Sequence, residues 1–145
     1  MSMHQNEDVG FLIKLIHDCI ERKSNQKLKL FDLTLSQGRV LAYLNERKGL
    51  KTSQKDIEDY LEVAHPTVVG ILKRLESKGF ITSEFDAEDK RVKNVYLTQN
   101  EASVHRAMCE FKIQMEQKLL QGLTDTQVEE LLYLLNLIYE NIQEQ

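Results

Sequence analysis

Proline occurs once in this 145-residue sequence, tryptophan not at all, cysteine twice and glycine six times. So few chain breakers, set against many Leu, Ile, Lys, Glu and Gln residues, point to one mainly helical soluble domain. The two cysteines, Cys19 and Cys109, form no CxxC pair, which argues against a disulfide scaffold or a zinc ribbon. No apolar run approaches the roughly 18 residues of a membrane span. The opening Met-Ser-Met-His-Gln-Asn-Glu-Asp is too polar and acidic for a secretory signal. A cytoplasmic protein without a membrane partner is expected. There is also no Gly-rich phosphate loop, nucleophile motif or catalytic cluster of acids and histidines, so no enzyme and no cofactor are expected.

Charge is the first positive signal. The formal net charge of −4 argues against nucleic acid as a partner, but its distribution does not. Residues 34–98 carry 11 Lys+Arg and 10 Asp+Glu, whereas the remainder carries 8 and 13. A basic surface can be assembled only from the middle of the chain.

Periodicity and punctuation organise the rest. A helix is expected over Val9–Lys29, with Val9, Leu12, Ile16 and Cys19 or Ile20 on one apolar stripe. A second follows Thr34, turning Val40, Leu41 and Leu44 inward, with Gly49 as its stop. Ser53 and Asp56 have the spacing of a helix-capping pair, and Ile57, Tyr60 and Leu61 supply that helix's buried side. After a short turn, Pro66 suits the first turn of a helix that buries Val68, Leu72 and Leu75 and stops at Gly79. Two short helices around a tight turn read as a helix-turn-helix. Phe80–Phe85 and Val92–Leu97 then flank a polar turn, Asp86–Arg91, as a β-hairpin or wing. Thr98 to Glu101 reads as a capping signature opening a long helix with Val104, Met108, Phe111, Met115 and Leu119. Gly122 breaks it, and Thr124–Gln127 opens a last helix. There Val128, Leu131, Leu135, Ile138 and Ile142, widened by Leu132, Leu134 and Leu137, demand more than one covering surface. A partner subunit is the simplest supplier.

Several motifs in this order resemble the MarR family of transcriptional regulators. Its wing pattern, Asp-x-x-Asp-x-Arg before a strand ending Leu-Thr, is matched by Asp86, Asp89, Arg91, Leu97 and Thr98. Its recognition-helix pattern is matched by Thr67, Val68, Arg74, Leu75, Glu76 and Gly79, and its second helix by Leu33, Thr34, Gln37, Val40 and Leu41. Lys27-Leu28, Phe31-Asp32-Leu33-Thr34, Gln37-Gly38 and His65-Pro66-Thr67-Val68 suggest the branch that represses multidrug efflux. Ala87 and Glu101 depart from the family's usual Pro and Gly, at positions with no proposed DNA role. The resemblance implies an α+β, mainly helical fold with a winged helix-turn-helix over 33–98 and dimerisation helices over 7–32 and 99–145, all within one domain, 1–145.

The expected function is sequence-specific, ligand-responsive DNA binding, as a repressor of efflux or stress-response genes. A helix fits the major groove with its N-terminal residues at the base edges. With Val68, Leu72 and Leu75 inward, His65, Pro66, Thr67, Val69, Gly70 and Lys73 face outward. Pro66 and Val69 suit thymine methyls, His65 and Thr67 hydrogen bonds, and Gly70 close approach. Lys73 and Arg74 suit phosphates, as do Ser53 and Gln54 at a helix N-terminus. The resemblance makes Arg91 the wing-tip arginine that enters the minor groove. Asp89 is expected to orient an arginine, and Arg74 is one candidate. A homodimer would place two recognition helices about 34–36 Å apart on a pseudo-palindromic duplex operator.

A largely apolar small-molecule effector is expected near Phe11, Ile13, Leu15, Phe31 and Tyr43, with Lys14, His17 and Asp32 as polar partners. His105 and Cys109 have metal-ligand spacing but lack further ligands, so no metal site is expected. Cys19 reads as a small buried hydrophobe. A winged-helix protein-interaction module without DNA binding, or a metal-sensing repressor, remain the alternatives.

Overall fold

The structure, a computed structural model, describes residues 8–143. Its helices are α1 (Val9–Lys29), α2 (Leu35–Glu46), α3 (Gln54–Leu61), α4 (His65–Ser77), α5 (Ala102–Leu119) and α6 (Asp125–Ile142). Between α4 and α5 lie β1 (Ile81–Phe85), β2 (Lys93–Leu97) and a 3₁₀ turn, Gln99–Glu101. This is the winged helix-turn-helix with flanking helices that the sequence implies. The opening residues 1–7, read above as no secretory signal, and the last two lie outside the described residues. Residues up to Phe111 form one compact unit and those from Lys112 onward a second.

Four helices start where short polar side chains satisfy their first free amides: Asp8 accepts from the Phe11 amide at 2.7 Å at the start of α1, and three others carry reciprocal pairs. Thr34 accepts from the Gln37 amide at 3.2 Å while Gln37 Oε1 accepts from the Thr34 amide at 3.1 Å. Ser53 with Asp56, and Thr124 with Gln127, repeat the reciprocal pair at the starts of α3 and α6. Each such cap contributes about 1 kcal/mol and fixes where the chain turns.

The first unit has one apolar core. Val40, Leu41 and Leu44 of α2 meet Ile57 of α3, Val68, Ile71, Leu72 and Leu75 of α4, and Ile81 and Val95 of the hairpin. Full burial of one such side chain stabilises by roughly 1.5–3 kcal/mol, so this cluster anchors α3, α4 and the hairpin to α2. α1 contributes Leu28, which lies so close to α2 that a Cβ on Gly38 would sit 2.8 Å from its methyl carbon. Glycine at 38 is therefore a packing requirement. The hairpin pairs Ile81 with Leu97 through Phe85 with Lys93, antiparallel.

Some expectations need correction. Thr98 does not cap the 3₁₀ turn; its hydroxyl donates to the Gly79 carbonyl at 2.6 Å, and its amide donates to Phe80. The residue thus locks the end of the hairpin to the end of α4, where Gly79 turns with φ +81°. Tyr60 lies on the surface, 51% exposed, stacked on Tyr43 at 4.1 Å between centroids. Cys19 is exposed as well, because the stripe of α1 on which it lies, with Val9, Leu12 and Ile16, is uncovered in the single chain.

The second unit comprises the end of α5, the turn at Gly122 and α6. No residue of α6 is buried. Leu132, Leu134, Leu135, Leu137 and Ile142 are all exposed along it.

Candidate nucleic-acid interface

Helices α3 and α4 are joined by three residues, 62–64, with Glu62 in the left-handed region at φ 55°. That sharp turn presents the start of α4 outward. Ala64 is its N-cap, Pro66 sits in the first turn and no side chain caps the free amides. His65, Pro66, Thr67, Lys73 and Arg74 are exposed, and Val69 and Gly70 are half-buried. Valines and leucines on the opposite face hold the helix to the core, so the outward set follows from the inward one.

His65 is held from behind. Its Nδ1 lies 2.9 Å from Glu58 Oε2 and 3.4 Å from Gln54 Nε2. A carboxylate only accepts, so the shorter contact places a proton on Nδ1. Among the described residues the Nε2 atom then has no partner. Gly70 is free of internal demands: a Cβ there would meet only Arg74 Nη1, at 3.6 Å.

The wing is organised by its two aspartates. Asp86 Oδ1 accepts from Lys51 Nζ and Asn94 Nδ2, both at 2.9 Å, while Oδ2 accepts from the amides of Glu88 and Asp89 at 3.1 Å. These bonds, led by the Lys51 ammonium, hold the carboxyl well below the usual aspartate range. The same pairing raises Lys51. Asp89 accepts from Arg91 Nε at 3.0 Å and Nη2 at 3.2 Å, a two-pronged pair that lowers its own pKa. Arg91, not Arg74, is thus the arginine that Asp89 orients. A single intervening turn residue, Lys90, brings them together, whereas the Arg74 guanidinium lies back along α4 by Gly70. Arg91 remains 90% exposed, with donors to spare on its outer nitrogens.

Behind the hairpin, residues 51–53 add a third edge. Val95 donates to the Thr52 carbonyl at 2.9 Å, and Ser53 bridges Asn94. This pairing fixes the start of α3 against the wing. A cleft of about 650 Å³ results, lined by Ser53, Gln54 and Lys55 of α3's start, His65 of α4, and Arg91 and Lys93 of the wing. Its acidic lining is mostly occupied: the Asp56 carboxylate accepts from the Ser53 amide at the α3 start, Glu58 holds His65, and Asp59 lies 3.5 Å from Lys55. Lys73, Arg74 and Lys90 do not line it.

Comparison with known proteins agrees with this architecture. Residues 31–92 match the profile of the MarR family. The chain is 37% identical over 106 residues to the HTH-type transcriptional regulator YwoH of Bacillus subtilis, covering 73% of this chain and 75% of that one. It is 26% identical to the HTH-type transcriptional repressor IacR of Pseudomonas putida, over 96% of this chain and 83% of that one. The crystal structure of MepR, a transcription regulator of the Staphylococcus aureus multidrug efflux pump MepA, superposes with TM-score 0.82 at 31% identity, covering 94% of this chain and all of that one. A MepR–DNA complex superposes at TM-score 0.78, with the same identity and coverage.

The chain belongs to the MarR family. It is a winged-helix transcriptional regulator.

For a MarR protein the contribution of Asp86, Lys51 and Asn94 is the part the motif hides. Asn94, 4% exposed in a strand, is the one signal that could have found it, because a buried amide needs a designated partner. The residues expected to bind an effector are not gathered. Lys14 pairs with Asp18 at 2.9 Å, holding that aspartate's pKa down, and His17 lies 3.2 Å from Glu21. Phe11 is exposed and Phe31 packs on the core. Asp32, fully turned to solvent at φ 57°, faces Lys78, and Tyr43 is stacked on Tyr60. His105 and Cys109 do meet, with Sγ to Nε2 at 3.6 Å, but among the described residues no group of three or more His, Cys, Asp or Glu could hold a metal.

Proposed function

We propose that this MarR-family regulator is a homodimeric repressor that binds a pseudo-palindromic duplex operator and releases it when a small molecule binds. One observation carries the reading: a single cleft combines the α3 N-terminus, the base-reading end of α4 and the wing arginine, residues far apart in sequence. In this reading His65, Pro66, Thr67, Val69 and Gly70 meet base edges in the major groove. Ser53 and Gln54 at the α3 start, with Lys73 and Arg74, meet phosphates. Arg91, preset by Asp89, enters the minor groove, where a narrow A·T-rich stretch favours a guanidinium.

Residues 33–98 would be the DNA-binding region, and 7–32 with 99–145 the dimerisation helices. The exposed apolar stripes of α1 and α6 support the dimer, since each lacks an adequate cover within its own unit. MepR and IacR, by their names an efflux-pump regulator and a repressor, make repression of efflux or stress-response genes the favoured role. The effector acts only through differential affinity for two conformations. A coupling of about 1–3 kcal/mol releases operator 5- to 150-fold.

The test is a titration of the full chain against duplex DNA from its own promoter, beside a scrambled duplex of equal length. The expected result is binding at least about a thousandfold tighter to the promoter at physiological salt. Equal affinity for the two duplexes would leave a winged-helix protein-interaction module in its place.

A further inference from the structure

Glu58 and His65 lie seven residues apart and meet because the chain doubles back between α3 and α4. Ile57, fully buried, pins α3 to the core, and Glu62 turns the chain through the left-handed region at φ 55°. The first residue of α4 is thereby laid against the second half of α3. His65 Nδ1 stops 2.9 Å from Glu58 Oε2, with the Glu58 side chain only 20% exposed and the imidazole 65% exposed.

A carboxylate oxygen only accepts, so Glu58 keeps a proton on Nδ1. In the neutral ring the other nitrogen, Nε2, is then a lone-pair acceptor. The two ring nitrogens point in diverging directions, so with Nδ1 turned to α3, Nε2 points away from it. Gln54 sets the opposite bias. Its Nε2 donor lies 3.4 Å from the same Nδ1, and it is satisfied only by an unprotonated Nδ1, which moves the ring proton to Nε2. The shorter, charged contact prevails. Among the described residues of the cleft, the other charged groups are turned elsewhere. Asp56 accepts from the Ser53 amide, Asp59 lies by Lys55, Arg91 pairs with Asp89, and Lys93 lies over the Phe85 ring.

We infer that Glu58 is a positioning residue for base readout: by holding the proton on His65 Nδ1 it makes His65 Nε2 an acceptor, selective for a base that presents an exocyclic amino group. In the major groove those groups are adenine N6 and cytosine N4, the hydrogen-bond donors of the base edges. Guanine or thymine at the same position sets lone pairs against a lone pair, whereas the reversed tautomer would donate to them. The same role accounts for a carboxylate in a cleft that faces phosphates, where one without a task would only repel. The inference deepens the proposed operator reading and rests on it for the base preference, though not for the tautomer.

Two measurements on the full chain test it. Nitrogen-15 NMR of the histidine rings at about pH 8.5, well above the ordinary histidine pKa, reads the tautomer without DNA. The His65 signals, assigned by their loss in His65→Ala, should show the proton on Nδ1 in the wild type. In Glu58→Ala, where Gln54 is left as the neighbour, they should show it on Nε2. Selection from random-sequence duplexes at the same pH reads the consequence. The wild type should favour adenine or cytosine over guanine or thymine by at least about fivefold at one position of each half-site. Glu58→Ala should turn that preference toward guanine or thymine, and His65→Ala should lose it while the rest of the operator is kept. An Nε2 proton in the wild type, or an operator recovered unchanged by Glu58→Ala, would overturn the inference and leave the operator reading standing. No enriched sequence from the wild type would overturn both.

Discussion

Lys51 and Asp86, 35 residues apart in sequence, meet at 2.9 Å and join the strand leading into α3 to the first residue of the wing turn. The contact ties the start of the wing turn to the segment that leads into the helix-turn-helix.

The titration of Asp86 gives the first prediction. Its folded pKa is depressed, so the bond's contribution is present above the ordinary aspartate range and is lost as pH falls through the folded value. Denaturant titrations from about pH 7 to 2 should show the wild type losing its advantage over Asp86→Asn only below about pH 4. At neutral pH the variant should lose hydrogen-exchange protection at the amides of Glu88 and Asp89. A constant difference across the range would remove Asp86 as the organiser.

Removing the wing guanidinium should act on DNA and not on folding. Arg91→Ala is expected to weaken operator binding by about 1–3 kcal/mol at matched salt, with thermal stability unchanged. Replacing flanking A·T pairs with G·C should shrink that penalty, since a wider groove holds an arginine less well. Equal losses on both duplexes would assign Arg91 to phosphate contact.

Gly70 separates stability from function. Nothing inside the chain needs a glycine there, and alanine is favoured within a helix by about 1 kcal/mol. Gly70→Ala should therefore raise the unfolding midpoint while lowering operator affinity. Parallel denaturation and binding curves decide it; unchanged affinity would mean that α4 docks with another face.

The proposed dimer draws on the uncovered leucines of α6. Sedimentation of the wild type at micromolar concentration should give one dimeric species, with an interface of about 2,000 Å² or more. Leu135→Arg, on an exposed apolar stripe, should give folded monomers with much weakened operator binding. A compact wild-type monomer would require another account of these faces.

Most of the fold was legible because its punctuation is local. Thr34 with Gln37, Ser53 with Asp56 and Thr124 with Gln127 mark helix starts through contacts three residues apart, and Gly79 and Gly122 mark stops. The outward face of α4 followed from Val68, Leu72 and Leu75. What remained hidden depends on distant pairings. Thr98 had the look of a cap, but its hydroxyl is drawn to Gly79 by hairpin closure. The sequence offers Asp89 an arginine partner but does not choose between Arg74 and Arg91. Glu101 read as a turn detail, yet the meeting of α2 and α5 buries it beside Asn45. The expected effector residues share the α1–α2 region and an apolar or polar character, and periodicity does not reveal that Lys14, His17 and Tyr43 are already engaged along the surface.

In the proposed function one composite surface reads a palindromic operator. Selection of bound duplexes from random-sequence DNA by the full chain, followed by the same selection with Thr67→Ala/Arg91→Ala, tests it most directly. The wild type should enrich an imperfect palindrome with half-sites one helical turn apart, about 10–10.5 base pairs centre to centre, and the double variant should lose it. No enriched sequence at physiological salt, or the same sequence recovered by both proteins, would mean that these residues do not read an operator.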